Sequence, residues 1–223
     1  MKDSRTGKTI WVLGCGPGIG MSVAERFAWE GFSLGLVTLD AGPIAPMVQG
    51  LRETGVGVEL AEGDMRDDEW LLSRLSLFDD LFGPPSVLVY NASAGVPGPP
   101  SGLCTKDLST DLATNLLAPL TAVQHALPAF RQAKAGTIIF TGGGTALKPQ
   151  TDRASGSIGK CALRQLALLL GQELEQENIH VAVVNVAGFV ERGGALDPAA
   201  IAERYWTLHT QRPPNWDREI EVR

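Results

Sequence analysis

L-G-C-G-P-G-I-G, residues 13–20, is the stretch of this chain that decides its fold. The apolar run T-I-W-V-L over residues 9–13 leads into it and is typical of a buried parallel strand. Residues 21–29 follow with apolar side chains at helical spacing. Glycines allow a sharp turn and a close approach of a ligand to the backbone, and a helix N-terminus offers free N–H groups to a pyrophosphate. The pattern of strand, glycine turn and helix therefore predicts a dinucleotide-binding turn.

Strand and helix patterns alternate along the rest of the chain. Further strands are predicted at residues 33–39, 87–90, 137–141 and 180–186 from apolar runs, and at residues 56–61 from alternating residues. Residues 219–223 are the candidate for a final strand. Helical spacing predicts helices at residues 45–54, 67–81, 108–133, 157–176 and 198–210. Pro119 and Pro128 are expected to kink the long helix or to cost stability. This alternation predicts an α/β fold, a doubly wound parallel sheet (Rossmann fold) in three α/β/α layers, as a single domain over residues 1–223.

Length, composition and charge limit the classes of protein to which this chain can belong. The chain has 223 residues, enough for one domain with a sizeable core, and is 44% apolar and 20% charged. A formal net charge of −6 argues against a nucleic-acid binder. No apolar stretch approaches the ~18 residues of a membrane span, and residues 1–8 lack a signal-peptide core, so we expect no membrane partner. Three widely spaced cysteines match no metal site and predict small buried residues in a reducing cytoplasm: Cys15, Cys104 and Cys161.

Several residues stand at the ends of predicted strands: Asp64, Asn91, Thr141 and Ala187. Ligands of doubly wound sheets bind at the carboxyl ends of the strands near the topological switch point, so these residues are expected to share one crevice with Gly14. Asp40 lies about 20 residues beyond Gly20, where NAD-binding folds carry the acidic residue that holds the adenosine ribose. No Arg or Lys follows until Arg52, which favours NAD over NADP. A solvated turn residue is the other interpretation of Asp40.

These motifs resemble those of the short-chain dehydrogenase/reductase family over nearly the whole chain. Residues 14–20 look like the family's T-G-x-x-x-G-x-G cofactor turn, and Asp64 stands where the family has an aspartate that touches adenine. Y-N-A-S, residues 90–93, is similar to the family's N-N-A-G motif. Asn115 falls on the helix asparagine that supports a proton-relay water, and Lys160 falls on the lysine of Y-x-x-x-K. The resemblance identifies the chain as a member of that family.

The resemblance implies an oxidoreductase with NAD or NADP as cofactor and a small-molecule substrate. Asn115 and Lys160 would be its catalytic residues. The residues implied to bind the cofactor are Gly14, Gly16, Pro17, Gly18, Ile19, Gly20, Thr38, Asp40, Asp64, Met65, Asn91, Ala92, Lys160 and Gly188. A homodimer or homotetramer through the Asn115 and Lys160 helices is also implied, and the wide apolar arc of residues 157–176 agrees with a partner on that helix.

The sequence lacks the family's two catalytic hydroxyl groups at the matching positions. Gly156 occupies the tyrosine position of Y-x-x-x-K, and Gly143 occupies the serine position about 13 residues earlier. In the family the tyrosine protonates the developing alkoxide and the serine positions the carbonyl, roles that glycine cannot perform. The enoyl-reductase spacing would need a tyrosine at Arg153, and the two tyrosines of the chain, Tyr90 and Tyr205, match neither spacing. A general acid is worth about 10²–10⁴-fold, so the ordinary mechanism would be crippled.

We call the space left by the missing serine and tyrosine side chains at Gly143 and Gly156 the gap. Several side chains near it in the sequence could replace the missing acid: Thr145, Asp152, Arg153, Ser155 and Ser157. Each also has a structural interpretation. Ser155 is a good helix N-cap and Ser157 fits a first helical turn, while Arg153 could bind an acidic substrate or simply be solvated. His209 is expected to pack with its aromatic neighbours, and His125 and His180 have no supporting context. Water filling the space of the absent phenol is a further candidate.

Residues 189–223 add a short C-terminal segment that we interpret as a substrate or oligomerisation region. Its Y-W-T-L-H, residues 205–209, resembles a divergent bacterial branch of the family that lacks the tyrosine. Two hypotheses stay open. One is an NAD(P)-dependent oxidoreductase with an altered proton donor. The other is a non-redox protein on the same fold: a cofactor-binding sensor, a partner subunit of an active homologue, or an enzyme with cofactor-independent chemistry.

Overall fold

Seven strands form one sheet in the order β3-β2-β1-β4-β5-β6-β7 in the computed structural model, which describes residues 8–223. All of the neighbouring strands in this sheet pair in parallel. The strands are β1 (Thr9–Leu13), β2 (Ser33–Thr38), β3 (Val58–Glu62), β4 (Val87–Tyr90), β5 (Gly136–Thr141), β6 (Ile179–Val186) and β7 (Glu219–Val222). The five central strands are short apolar runs with both faces covered, as parallel sheets require, whereas the edge strands β3 and β7 carry glutamates and are partly exposed. The predicted strands are confirmed to within two residues at each end.

Helices cover both faces of the sheet. They are α1 (Ile19–Trp29), α2 (Ala45–Glu53), α3 (Asp68–Phe82), α4 (Thr105–Leu112), α5 (Ala118–Ala133), α6 (Ala154–Leu174) and α7 (Pro198–Thr210). One hydrophobic core joins the sheet to α3, α5 and α6, and a second joins it to α1, α2 and α7. Neighbouring residues of β1 alternate between the two cores: Trp11 lies in the first, whereas Ile10 and Val12 lie in the second. The predicted three-layer, doubly wound architecture is confirmed.

The position of β1 explains where a ligand can bind. β1 pairs with β2 on one side and with β4 on the other, so the chain turns away in opposite directions after the first three strands. The crevice between the two diverging connections opens at the carboxyl ends of β1 and β4. The glycine turn follows β1 and the Y-N-A-S motif follows β4, which brings the two motifs together.

The predicted helix over residues 108–133 is divided in the structure. α4 begins earlier, at Thr105, and a π-helical turn, Ala113–Leu117, separates it from α5. Pro119 stands in the first turn of α5, where its missing N–H costs no interior hydrogen bond. The wider π turn is a frequent feature of functional sites, and Asn115 lies within it.

Two expectations about single residues are wrong. α6 begins at Ala154 with Arg153 as its N-cap, three residues before the predicted start, so Ser155 lies inside the first turn and is not the cap. Of the three cysteines only Cys15 is buried, whereas Cys104 and Cys161 are exposed. Cys15 packs beneath the glycine turn, and burial raises the pKa of its thiol to about 12.

Much of the C-terminal segment belongs to the fold itself. Ile201, Tyr205 and Leu208 of α7 are buried against the core that contains α1, and β7 extends the sheet beside β6. The connection before α7, where Phe189 is 84% exposed, and residues 212–215 after α7 lie at the surface. Burial thus gives most of this segment a structural role.

No helix within residues 8–223 combines the length and the apolar character needed to cross a bilayer. The expectation that residues 1–8 carry no signal-peptide core falls almost entirely outside the described part of the chain.

Candidate functional site

The glycine turn is held by hydrogen bonds to the neighbouring strand β2 and to the residue that follows β4. The Gly14 and Cys15 N–H groups both donate to Val37 O of β2, at 2.9 and 2.7 Å. The Asn91 side chain after β4 donates to Gly14 O at 2.8 Å. Gly14 has a φ of +85°, and a β-carbon there would lie 2.3 Å from Ala92 N. Only glycine permits this close approach of the two loops.

An open cavity of about 890 Å³ lies beyond this turn, and we call it the inner cavity. Its walls include most of the residues predicted to bind a cofactor: Gly14, Gly16, Gly18, Ile19, Gly20, Thr38, Asp64, Met65, Asn91, Ala92, Lys160 and Gly188. A β-carbon at Gly16 or Gly18 would meet no atom within 4 Å. The missing side chains therefore leave a cradle at the N-terminus of α1, where helix N–H groups and the helix dipole favour a phosphate. The residues present fit a dinucleotide.

Pro17 and Asp40 are the predicted cofactor residues that stand outside these walls. Pro17 is exposed at the tip of the turn. The Asp40 carboxylate accepts a hydrogen bond from Gly42 N at 2.9 Å, and so it closes its own turn. Thr38 and Leu39 form the wall of the inner cavity at this point.

The wall of the inner cavity carries a charged pair, Asp64 and Arg66, that we did not predict from the sequence. Arg66 Nε donates to both carboxylate oxygens of Asp64, at 2.9 Å each. These hydrogen bonds lower the pKa of Asp64. Arg66 also lines the cavity, so a cationic side chain stands beside the aspartate that the family resemblance assigns to adenine. Arg66 stands only two residues after Asp64, so the sequence itself could have indicated this ion pair.

Asn115 fastens the loop after β4 to the π turn. Its side-chain oxygen accepts from Ala94 N at 3.1 Å, and its side-chain nitrogen donates to Ala94 O at 2.7 Å. The side chain is fully buried, and a β-carbon at Gly159 of α6 would lie 2.4 Å from its nitrogen. These contacts give Asn115 a positioning role for the loop that separates the two parts of the site.

Lys160 is buried on α6 and lines both the inner cavity and a second one. Its ammonium donates to Thr141 O at the end of β5, at 2.8 Å. No carboxylate in residues 8–223 forms an ion pair with it. Burial without a compensating charge lowers its pKa from 10.5 to about 8.

The second cavity, the outer cavity, also measures about 890 Å³. Gly143 after β5 and Gly156 in the first turn of α6 both line it beside Lys160. A β-carbon at Gly156 would meet no atom within 4 Å, and one at Gly143 would make only ordinary contacts. The remaining charged groups on the walls are Lys148, Arg153, Glu221 and Arg223.

The candidate hydroxyl groups near Gly156 are engaged elsewhere. Ser155 is fully buried and donates to Asp111 Oδ2, and the same oxygen accepts from Val96 N at 3.0 Å. Ser157 Oγ accepts from Gln150 N at 3.2 Å. Asp111 was not predicted, although its place one helical turn before Asn115 puts both residues on one face of the helix.

Both tyrosines are buried away from the two cavities. Tyr90 donates to Thr114 O at 2.6 Å, and the Tyr205 hydroxyl lies 2.7 Å from that of Thr141. Burial raises the pKa of each phenol. Neither residue lines the inner or the outer cavity.

The three histidines serve packing. His209 contacts Phe27, Phe32 and Trp206, as expected, and burial lowers its pKa to about 4. His125 pairs with Asp79, and His180 lies between the carbonyl groups of Leu208 and Asp217. None of the three lines either cavity.

Other candidates do reach the outer cavity. Thr145 and Arg153 line its walls, whereas Asp152 is exposed beside them and Gly98 N donates to its backbone carbonyl at 2.7 Å. Ser93 and Gln150 also line this cavity. Of the polar residues in its walls, Thr145 and Lys160 are the ones that a β-carbon at Gly143 would meet, at 3.8 Å from the Thr145 hydroxyl oxygen and 3.7 Å from Lys160 Cγ.

A parallel sheet with a glycine turn and a helix N-terminus at its carboxyl edge defines a Rossmann-type protein. Residues 8–192 match the family model described as short chain dehydrogenase, and the chain belongs to the short-chain dehydrogenase/reductase family.

Known relatives agree with this membership. The chain is 28% identical to "Oxidoreductase asL5" of Sarocladium schorii over 94% of this chain and 82% of that protein. It is 24% identical to "Ketoacyl reductase HetN" of a Nostoc species over 85% of this chain and 66% of that protein. Among solved structures, a metagenomic short-chain oxidoreductase in complex with NADP superposes with a TM-score of 0.88, at 26% identity over 99% of both chains.

Proposed function

We propose that this chain is an NAD(P)-dependent oxidoreductase that interconverts a small carbonyl compound and its alcohol, with glycine at the family's serine and tyrosine positions. One observation carries the proposal: the buried Lys160 lines both the inner cavity, which fits a dinucleotide, and the outer cavity, which is open for a substrate. Because Lys160 lines both cavities, it stands where a cofactor in the inner cavity and a substrate in the outer cavity would meet.

The inner cavity would hold the cofactor through the chain's own backbone. Gly16, Gly18 and the first turn of α1 would bind the pyrophosphate, and Asp64 would lie near the adenine. Lys160 would donate to the ribose of the nicotinamide. Asp40 and the absence of basic residues from 41 to 51 favour NAD, whereas Arg66 beside Asp64 offers a cation for the extra phosphate of NADP.

The bound nicotinamide supplies or accepts a hydride. The chain itself has to bind the carbonyl group, keep it against that ring and provide a proton. Gly143 and Gly156 leave room for the substrate beside Lys160 and provide no hydroxyl group of their own. An oxidoreductase built this way needs another proton source than the family's tyrosine.

The oligomeric state and the cellular location of the proposed enzyme are inferred from its surface and its cysteines. The outward side of α6 exposes Ile158 and Leu169, 40% and 53% accessible, which supports a homodimer or homotetramer. A cytoplasmic location is proposed from the cysteine usage, since reducing compartments keep thiols free.

The test combines nucleotide binding with turnover. Calorimetry with NADH and with NADPH should show binding of at least one nucleotide. Gly16→Ala should weaken it because the new β-carbon would enter the cradle, while Gly50→Ala on the exposed part of α2 should not. A panel of aldehydes, ketones and alcohols should then reveal turnover.

Two results would contradict the proposal. Failure to bind either nucleotide would remove the cofactor site. Binding without turnover of any compound would instead support a sensor or a partner subunit, the alternative that the glycines at positions 143 and 156 keep open.

A further inference from the structure

The gap beside Lys160 has a polar neighbour that the family pattern does not use. A β-carbon at Gly143 would lie 3.7 Å from Lys160 Cγ and 3.8 Å from the Thr145 hydroxyl oxygen. Thr145 stands in the short 3₁₀ turn Gly144–Ala146, two residues after Gly143. The Thr145 hydroxyl therefore lies beside the place that a serine side chain at position 143 would occupy.

The Thr145 hydroxyl is available to a ligand. The residue is half-buried in the wall of the outer cavity, and its hydroxyl takes part in no hydrogen bond among residues 8–223. Ser155 and Ser157, by contrast, are held by Asp111 and by the Gln150 backbone. A free hydroxyl in a cavity wall can donate to a carbonyl oxygen.

The Lys160 ammonium can donate more hydrogen bonds than it makes within residues 8–223. An ammonium group carries three N–H bonds, and the contact with Thr141 O uses one of them. The Gly143 and Gly156 positions, where the family's side chains would stand between lysine and substrate, are open. A carbonyl oxygen can therefore come close to the Lys160 ammonium.

The other titratable groups facing these cavities are poor acids for this oxygen. On the outer cavity, Glu221 is ion-paired with Arg223, while Lys148 and Arg153 stand exposed at the rim. On the inner cavity, Asp64 is ion-paired with Arg66. Arginine does not release its proton at ordinary pH, and the paired carboxylates have none to give.

We propose that Lys160 is the proton donor of the reduction and that the Thr145 hydroxyl binds the same carbonyl oxygen, in place of the missing tyrosine and serine; the inference rests on the proposed function. The carbonyl carbon gains a hydride from the reduced nicotinamide, which is thereby oxidised. The C=O π electrons move to the oxygen, which takes a proton from Lys160 Nζ. Lys160 is left as a neutral amine and regains a proton from water in the outer cavity.

Burial supports this assignment. It lowers the pKa of Lys160 to about 8, so the group is protonated at neutral pH and yields its proton more readily than an exposed lysine. Reduction should therefore slow as pH rises through about 8, and alcohol oxidation, which needs the neutral amine, should speed up over the same interval.

The experiment uses the full chain, the nucleotide that binds, and a carbonyl compound that the wild type reduces. Thr145→Val removes only the hydroxyl and should lower kcat by about 10²-fold, the usual effect of losing one donor to such an oxygen. Thr145→Ser should restore most of the rate. Thr151→Val, on the exposed loop, is the matched control and should leave kcat unchanged. Nucleotide affinity should be the same in all of these variants.

A second readout does not depend on activity. In protein labelled with ¹³C at lysine Cε, one resonance should titrate near pH 8, and it should be absent from Lys160→Arg. Equal kcat in Thr145→Val and Thr151→Val, or no lysine titrating below pH 9, would overturn this inference while leaving an active oxidoreductase. Nucleotide binding without turnover in the wild type would instead overturn the proposed function and this inference with it.

Discussion

The Ser155 hydroxyl donates a hydrogen bond to the carboxylate of Asp111, so the serine next to Gly156 points into the protein and away from the outer cavity. Asp111 belongs to α4 and Ser155 to the first turn of α6, and both side chains are buried. The pair also fixes the loop after β4, because Asp111 accepts from Val96 N. The contact makes Ser155 a structural residue that joins three segments around the gap.

Ser155→Ala should destabilise the fold without changing catalysis. The substitution leaves the buried Asp111 carboxylate short of one donor, which should cost about 1–3 kcal/mol of unfolding free energy. Urea unfolding measures the loss, with the exposed Ser109→Ala on α4 as the control. A fall of tenfold or more in kcat at unchanged stability would instead make Ser155 catalytic.

Gly14→Ala should disrupt the fold at its first turn. The new side chain would sit at a φ of +85° and would overlap Ala92 N, 2.3 Å from its β-carbon. Strain of this kind costs on the order of 1–3 kcal/mol before the overlap is counted, so a loss above about 3 kcal/mol is expected. Thermal unfolding should show it, and Gly50→Ala should show no loss. A Gly14→Ala protein as stable as the wild type would refute this account of the turn.

Restoring the family's hydroxyl groups should accelerate carbonyl reduction. At Gly156 a β-carbon has open space, and Gly143 has an extended φ of −168° that serine adopts freely. The double variant Gly143→Ser, Gly156→Tyr should therefore fold and gain about 10²-fold in kcat from a phenol beside Lys160. Gly143→Ser combined with Gly156→Phe carries the same ring without the hydroxyl. Equal rates for the two double variants would contradict the prediction.

Removing the Lys160 charge should stabilise the fold in a pH-dependent way. Its folded pKa of about 8 lies below the ordinary value of 10.5, so the unfolded chain binds more protons between these values and stability rises with pH there. The cost of the buried charge is full below pH 8, where Lys160→Met should add up to about 3 kcal/mol. The gain should shrink toward pH 10.5. Urea unfolding at several pH values measures it, with Lys106→Met as the surface control, and a gain that is the same at every pH would contradict it.

The order and type of the elements followed from local pattern. Apolar runs predicted the five central strands, because both faces of such a parallel strand are buried and its composition shows this directly. The edge strands β3 and β7 have glutamates among their residues, and β3 was predicted from alternating residues and β7 as the candidate for a final strand. The glycine turn also predicted a ligand site, which the structure shows as the inner cavity. Gly14 lies too close to Ala92 for any side chain, and Gly16 and Gly18 leave open space beside the turn. The two starts that were misplaced, those of α4 and α6, lie at loops whose long-range contacts set the first turn.

Contacts between distant segments escaped the sequence. Ser155 was wrongly expected to cap a helix, because its partner Asp111 stands 44 residues earlier and only packing brings the two together. The pair of Asp64 and Arg66 is a different case, since these residues are two positions apart and their contact is local. Cys104 is exposed because it lies in the surface loop as the N-cap of α4. The exposure of Cys161 depended on which side of α6 faces the core. Helical spacing alone does not determine this when both faces of a helix are apolar.

Residue types along the chain were enough to determine a doubly wound sheet, a dinucleotide-type turn and the absence of a tyrosine at Gly156, because each is a matter of local order and spacing. Only the tertiary structure decided which polar groups face the gap. It turned Ser155 inward, buried both tyrosines, and left Thr145 and Lys160 along one cavity wall. The physical reason is that a side chain's neighbours are chosen by the packing of α4, α6 and β5 together, and no single segment encodes that arrangement.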